Sequence, residues 1–166
     1  MLTKKACSIV TIRGFTLVEV VIIILVIGII SVTVLPQWTA TTLNLEFEAR
    51  RVLNDIRYAQ ALSMSSGLRY RWVKASSTAY QLVNSSGSAL VLPSGGTQLT
   101  LTSGISFGSF TNLPNNLIVF DSVGVPYTDT STPGTALAAA AIIPITANGS
   151  TRTIQITPQT GYGMLQ

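Results

Sequence analysis

The chain has 166 residues, 47% of them hydrophobic and only 10% charged, with a formal charge of +4. That length allows one ordinary domain and an appendage. Histidine is absent and Cys7 is the single cysteine, which excludes the common zinc sites, Ser-His or Cys-His nucleophile pairs, and any intrachain disulfide.

The charge is unevenly placed. Lys4, Lys5 and Arg13 supply +3 before residue 14, and from Phe15 onward seven basic residues face six acidic ones, a net +1. The excess therefore says little about nucleic acid. It marks a basic flank ahead of a greasy segment, as the positive-inside rule expects on the cytoplasmic side of a membrane span.

Residues 1–14 contain no acid, and residues 20–45 contain no charged residue at all. Read as a helix, residues 15–35 would span roughly 30 Å at ~1.5 Å per residue, enough to cross a bilayer core. Gly28 and Ser31 are small positions at which another helix can approach. Glu19 is the anomaly, because hydrocarbon solvates a lone carboxylate poorly. A cleaved secretory signal is one reading, with Thr39-Ala40-Thr41 as a weak small-x-small site. A plain transmembrane anchor is another, but it gives Glu19 and the Gly14-Phe15 junction no purpose.

Gly14-Phe15-Thr16-Leu17-Val18-Glu19, set between a basic leader and an apolar run that ends at Pro36, resembles the signature of the type IV prepilin and pseudopilin family. The resemblance implies that a prepilin peptidase of the inner membrane cuts after Gly14 and N-methylates Phe15. It also implies a long helix continuing through a kink at Pro36, and partners that include membrane lipid, other pilins or pseudopilins and an inner-membrane assembly platform. The expected localisation is single-pass in a bacterial inner membrane, with the C-terminal domain periplasmic. Once Phe15 is the N-terminus, its amine is a cation that a Glu19 carboxylate can pair with in a poorly solvating medium. Pairing to an adjacent subunit favours one axial register and a non-closing, helical assembly. Pairing within the chain, four residues away on one turn, stays open beside it. Pro36 can equally end the membrane helix, since proline removes a donor and crowds the preceding turn. Trp38 fits an aromatic interface anchor in either case.

Helical periodicity resumes over residues 45–65. Leu45, Ala49, Val52, Ile56 and Ala59 recur at spacings of three or four, and Phe47, Leu53 and Leu62 are expected to widen that apolar face. Glu46 and Arg50 stand four apart in the favourable order, and Gly67 is placed for a left-handed cap. From residue 68 the period becomes two. Candidate strands are 68–73, 79–84, 88–92, 98–102, 105–110, 117–121, 137–145 and 152–157, with a hairpin turn at Ser85-Ser86-Gly87. Turn chemistry falls at 93–96, 114–116 and 158–161, and residues 128–134 read as the most flexible loop. The expected fold is α+β: a long N-terminal helix, half membrane-spanning and half amphipathic, packed on an antiparallel β domain of about two small sheets. Its divisions are a leader at 1–14, an assembly helix at 15–36, the amphipathic continuation at 37–67 and a β-rich domain at 68–166.

No catalytic residue, cofactor or metal is expected. Asp121 and Asp129 flank a loop, but two acids are a poor set against calcium's six to eight oxygens. Arg69, Arg71 and Lys74 with Tyr70, Trp72 and Tyr80 can be read as a strip that grips a single strand of nucleic acid, although a solvated strand face explains them as well. The segments 55–67, 118–126 and 156–161 are similar to the H-type minor pseudopilins of type II secretion and the FimT-like minor pilins. They are particularly similar to minor pilins of mannose-sensitive haemagglutinin pili, the C-type component. The cysteine-free body departs from the C-terminal disulfide loop of major type IVa pilins. The expected function is thus a non-catalytic minor subunit of a type IV pilus or a type II secretion pseudopilus, with a membrane-anchored periplasmic binding module as the alternative.

Overall fold

A computed structural model describes residues 14–34 and 40–166. The basic leader, with Lys4, Lys5, Cys7 and Arg13, lies outside the described residues, as do Leu35, Pro36 and Trp38. Contacts divide the chain into two compact units, Met1–Gln37 and Trp38–Gln166.

The first unit carries helix α1, Leu17–Val34, 18 residues of almost unbroken Val, Ile and Leu. At ~1.5 Å per residue it is about 27 Å long, shorter than the 15–35 span read from the sequence. No helix among the described residues is long and apolar enough to cross a membrane.

The second unit is built on α2, Ala40–Ser66. Leu45, Ala49, Val52, Leu53, Ile56 and Ala59 are all buried, so the expected stripe is the face that meets the sheets. Leu62 packs at its margin. Phe47 does not belong to it: this ring is 67% exposed. It lies two residues before Ala49, which at ~100° per residue puts it about 200° round the helix, on the far side. Glu46 and Arg50 form the expected ion pair at 2.6 Å. Gly67 caps the helix at φ 71°, its N–H donating to the Ser63 carbonyl at 3.0 Å.

Ten strands follow: β1 Tyr70–Lys74, β2 Ala79–Val83, β3 Ala89–Leu90, β4 Gln98–Thr100, β5 Ile105–Phe107, β6 Leu117–Phe120, β7 Pro126–Tyr127, β8 Ala141–Ala147, β9 Ser150–Ile156 and β10 Gly163–Leu165. They form two antiparallel sheets. One runs β3-β2-β1-β6-β7, with β4 sharing the outer edge of β2 beyond β3; the other runs β10-β9-β8-β5. The Ser85-Ser86-Gly87 hairpin forms as expected, with the Asn84 N–H donating to the Ser88 carbonyl at 3.0 Å and Gly87 at φ 91°. The strand expected at 137–145 is displaced to Ala141–Ala147, and its burial alternates perfectly along seven residues.

The core fills the space between α2 and the two sheets. Trp72 sits at its centre, 5.3 Å from Tyr80 and 5.7 Å, edge-on, from Phe107. Ile143, Ile145, Ile154 and Ile156 supply the second sheet's inward face. Offset and edge-to-face aromatic contacts of this kind add about 0.5–1.5 kcal/mol each beyond area burial.

Candidate functional site

The expected site residues of the N-terminal segment stand together at the mouth of α1. Gly14, Phe15 and Thr16 precede the helix, so the Gly14–Phe15 peptide bond lies outside the helical hydrogen-bond ladder. Nothing approaches within 4 Å of the side a Gly14 Cβ would occupy, and Phe15 is 72% exposed. Gly14, Phe15, Thr16 and Glu19 line one shallow depression.

Thr16 is a residue the sequence reading passed over. Its hydroxyl oxygen accepts the Glu19 N–H at 3.2 Å, and its carbonyl accepts the Val20 N–H at 3.2 Å. That is N-cap geometry, and Thr-x-x-Glu is the capping-box pattern that could have revealed it. Glu19 therefore occupies the first turn, where the helix dipole favours a negative charge. Behind it, every described side chain from Leu17 to Ile29 is exposed. A helix that is apolar on all sides normally has protein or lipid around it.

In the second unit a row of polar groups pins α2 to the sheets. Glu46 accepts from Arg152 Nε on β9 at 2.7 Å. Glu48, buried, accepts from the Thr102 hydroxyl at 2.6 Å and pairs with Arg51 at 3.2 Å. Asp55, seven residues on and on the same flank, accepts the Tyr80 hydroxyl at 2.6 Å and the Ser94 hydroxyl at 3.1 Å. Burial pushes the Asp55 carboxyl above the ordinary range, while the Tyr80 and Ser94 hydrogen bonds and the Arg51 charge pull it back. Burial and the adjoining Asp55 push the Tyr80 phenol far above its usual value. Arg57 donates to the Gly163 carbonyl at 2.8 Å, and Ser63, also buried, accepts the Tyr70 N–H at 3.1 Å.

No family model matches the sequence, and no curated protein matches it. Solved structures do. The chain is similar to the minor pseudopilin EpsH of the Vibrio cholerae type 2 secretion system, with a TM-score of 0.55 at 12% identity over 74% of this chain and 96% of that one. It is also similar to the type IV minor pilin FimU of Pseudomonas aeruginosa, with a TM-score of 0.53 at 13% identity over 74% of this chain and 87% of that one. The fold is that of a minor pilin or pseudopilin.

The body segments 55–67, 118–126 and 156–161 meet at one junction in this fold. Gln60 Nε2 donates to the Gly124 carbonyl at 2.9 Å and to the Thr160 carbonyl at 2.8 Å. One amide on α2 thereby ties the β6–β7 turn to the turn before β10. Gly161 sits in that junction at φ 63°; a Cβ there would meet Gln60 Nε2 and the Gly124 carbonyl oxygen at 2.6 Å. Only glycine fits such a position without a shift of backbone.

Asp121 completes the first of these turns. Its Oδ1 accepts the N–H groups of Val123 at 3.0 Å and Val125 at 2.8 Å. Asp129 does the same for the 128–134 loop, accepting from Ser131 and Thr135 at 3.0 Å each. These bonds, led by those from Thr135, hold its carboxyl below the ordinary range. The loop expected to be the most flexible is thus tied down by its own acid. Both carboxylates are engaged in turn geometry, and no group of three or more metal-ligating side chains exists among the described residues.

The nucleic-acid strip does not assemble. Trp72 and Tyr80 are fully buried and present no face on which a base can stack. Lys74 donates to the Gly108 carbonyl at 3.1 Å and lies 4.6 Å from the Phe110 ring centre. Arg69 donates to the Ser131 carbonyl and covers the Tyr127 ring at 4.4 Å.

Proposed function

We propose that the chain is a minor pilin or pseudopilin, a non-catalytic structural subunit that helps initiate or join a filament rooted in the inner membrane. In this reading prepilin peptidase cuts after Gly14, Phe15 becomes the N-methylated terminus, and the apolar segment from Phe15 lies in the membrane until it joins other subunits. Glu19 then pairs with the Phe15 amine of a neighbouring subunit, and Pro36 bends the helix above the membrane. One observation carries the reading. A helix apolar on every side, with a single acid in its first turn, precedes a domain of pilin fold. Such a helix needs apolar surroundings, and the acid makes one register of those surroundings preferable to the rest.

Two variants in a cell that carries the cognate peptidase and filament test it. Glu19→Ala yields a cleaved, methylated chain by mass spectrometry that no longer co-purifies with the filament. Gly14→Glu retains the leader. Co-purification of Glu19→Ala at wild-type levels would sink the assembly role, and an unchanged mature mass for Gly14→Glu would move the cut elsewhere. Genes beside this one distinguish the machines: adhesin-type pilus components indicate a pilus, a secretin and effectors indicate secretion.

A further inference from the structure

Seven cationic side chains follow residue 14. Arg50 and Arg152 share Glu46, and Arg51 pairs with Glu48. Arg57, Arg69 and Lys74 each donate to a carbonyl and lie over an aromatic ring. Arg71 alone, among the described residues, has neither a carboxylate nor a carbonyl partner.

Its position makes that vacancy specific. Arg71 is on β1 with Val119 and Val83 directly across from it on the two neighbouring strands. Both valines are buried, yet neither belongs to the core cluster between α2 and the sheets. They share the outer face of the sheet with Arg71, and Val119 supplies the apolar floor of the space beside it. The β2–β3 turn closes one side, with Arg71 Nη2 3.5 Å from where a Gly87 Cβ would stand. The 128–134 loop, fixed by Asp129 and by the Arg69 bond to Ser131, closes the other. Between them is a cavity of about 90 Å³ lined by Arg69, Arg71, Asn84, Ser85, Thr130 and Thr132 over Val119. Every polar side chain in that lining can donate a hydrogen bond, and none is a carboxylate. Asp129 is near, but its two oxygens are committed to Ser131 and Thr135.

We infer that this cavity binds a small tetrahedral oxyanion, a phosphate or sulfate group, with the Arg71 fork as its principal contact. Guanidinium forks match such oxygens two at a time, and the low-dielectric floor strengthens the attraction relative to open solvent. The volume is far below the ~300–1,000 Å³ of sites for drug-sized ligands, so one anionic group enters and an extended ligand does not. The inference is independent of filament membership.

The test is a titration of the ¹⁵N-labelled full chain in detergent with inorganic phosphate, and separately sulfate, at constant ionic strength. Saturable shifts confined to Arg71, Asn84, Ser85 and Thr130 are expected. Arg71→Gln should weaken binding about tenfold or more, as loss of a charge-assisted pair implies, and Arg71→Lys should recover part of it. Thr130→Val, which keeps the side-chain shape and removes only the hydroxyl, provides the same reading should Arg71→Gln unfold. A phosphomonoester sugar that competes with phosphate identifies the group as able to arrive on a carbohydrate. Absence of saturation, affinity unchanged by Arg71→Gln or by Thr130→Val, or Arg71-dependent binding of single-stranded DNA without phosphate binding overturns the proposal.

Discussion

Tyr80→Phe isolates the hydrogen bond that makes the buried Asp55 tolerable. The ring keeps its contacts with Trp72 and with Phe107, whose centres lie 5.3 and 6.0 Å away, so packing is conserved and only the 2.6 Å bond to Oδ2 disappears. Hydrogen bonds to charged groups contribute about 1.5–3 kcal/mol, and the desolvated partner left behind adds to the cost. Ser94 still donates to both Asp55 oxygens, which places the expectation at about 2 kcal/mol. For a domain of this size that is roughly 8 °C in Tm. The pH dependence has a definite sign. Burial raises the Asp55 carboxyl above its reference value of 3.8, so the native state takes up a proton more readily than the unfolded chain. The stabilisation from proton uptake is complete below pH 3.8 and is lost as pH rises through the native value. Removing the Tyr80 donor raises that native value further, so the deficit of the variant is largest at neutral pH and narrows toward pH 4. Thermal unfolding of the full chain in detergent, followed by near-ultraviolet circular dichroism at pH 4 and pH 7, measures both quantities. A cost below about 0.5 kcal/mol at pH 7, or a deficit that widens on acidification, refutes the reasoning.

Gly161→Ala combines a left-handed backbone with contacts of 2.6 Å to Gln60 and to the Gly124 carbonyl oxygen. It should cost about 2–4 kcal/mol in denaturant unfolding, and a loss under 1 kcal/mol would show that the junction yields. Arg152→Ala removes the largest influence that lowers the Glu46 carboxyl. The pair is partly exposed, so the loss at pH 7 should be no more than about 1 kcal/mol; it is present above pH 4.5 and disappears as pH falls through the lowered native value of Glu46. Thr16→Val deletes the N-cap of α1 and, at ~1 kcal/mol of capping energy, should speed amide hydrogen exchange in the first turn about fivefold in detergent. In the same assay Glu19→Ala should leave the Thr16 cap standing, which separates the acid's structural part from its part in assembly.

Much of the β domain and of α2 could be read from pattern alone. The stripe from Leu45 to Ala59, the Gly67 cap and the Gly87 hairpin are local devices, each specified within a few residues. What escaped is non-local or very short. Pro126–Tyr127 is a two-residue strand beginning with proline, and Gly163–Leu165 has too few residues to establish a period. Asp55 reads as a surface acid on an amphipathic helix because its partners, Tyr80 and Ser94, are 25 and 39 residues away. Phe47 shows the opposite case: its apolar character suggests inward orientation, but its angle round the helix places it outside. At the start of α1 the Thr-x-x-Glu spacing of Thr16 and Glu19 is itself a local capping signal, and the Thr16 hydroxyl accepts the Glu19 N–H as that pattern implies. The basic and aromatic strip failed because sequence does not reveal that Trp72 and Tyr80 turn into the core or that Arg69 and Lys74 already have carbonyl partners.

Strand lengths in the two sheets follow a rule with consequences for crowding. Interior strands run four to seven residues, whereas every boundary strand is short: β3 and β7 have two residues, β4, β5 and β10 have three. A sheet border presents unsatisfied peptide groups that can recruit another chain, and brevity is one of the means by which proteins limit that recruitment. Many copies of this domain held side by side would therefore offer one another little continuous backbone to pair with. Their mutual contacts would fall to side chains, which can be made weak or strong one residue at a time without opening a route to fibrous aggregation.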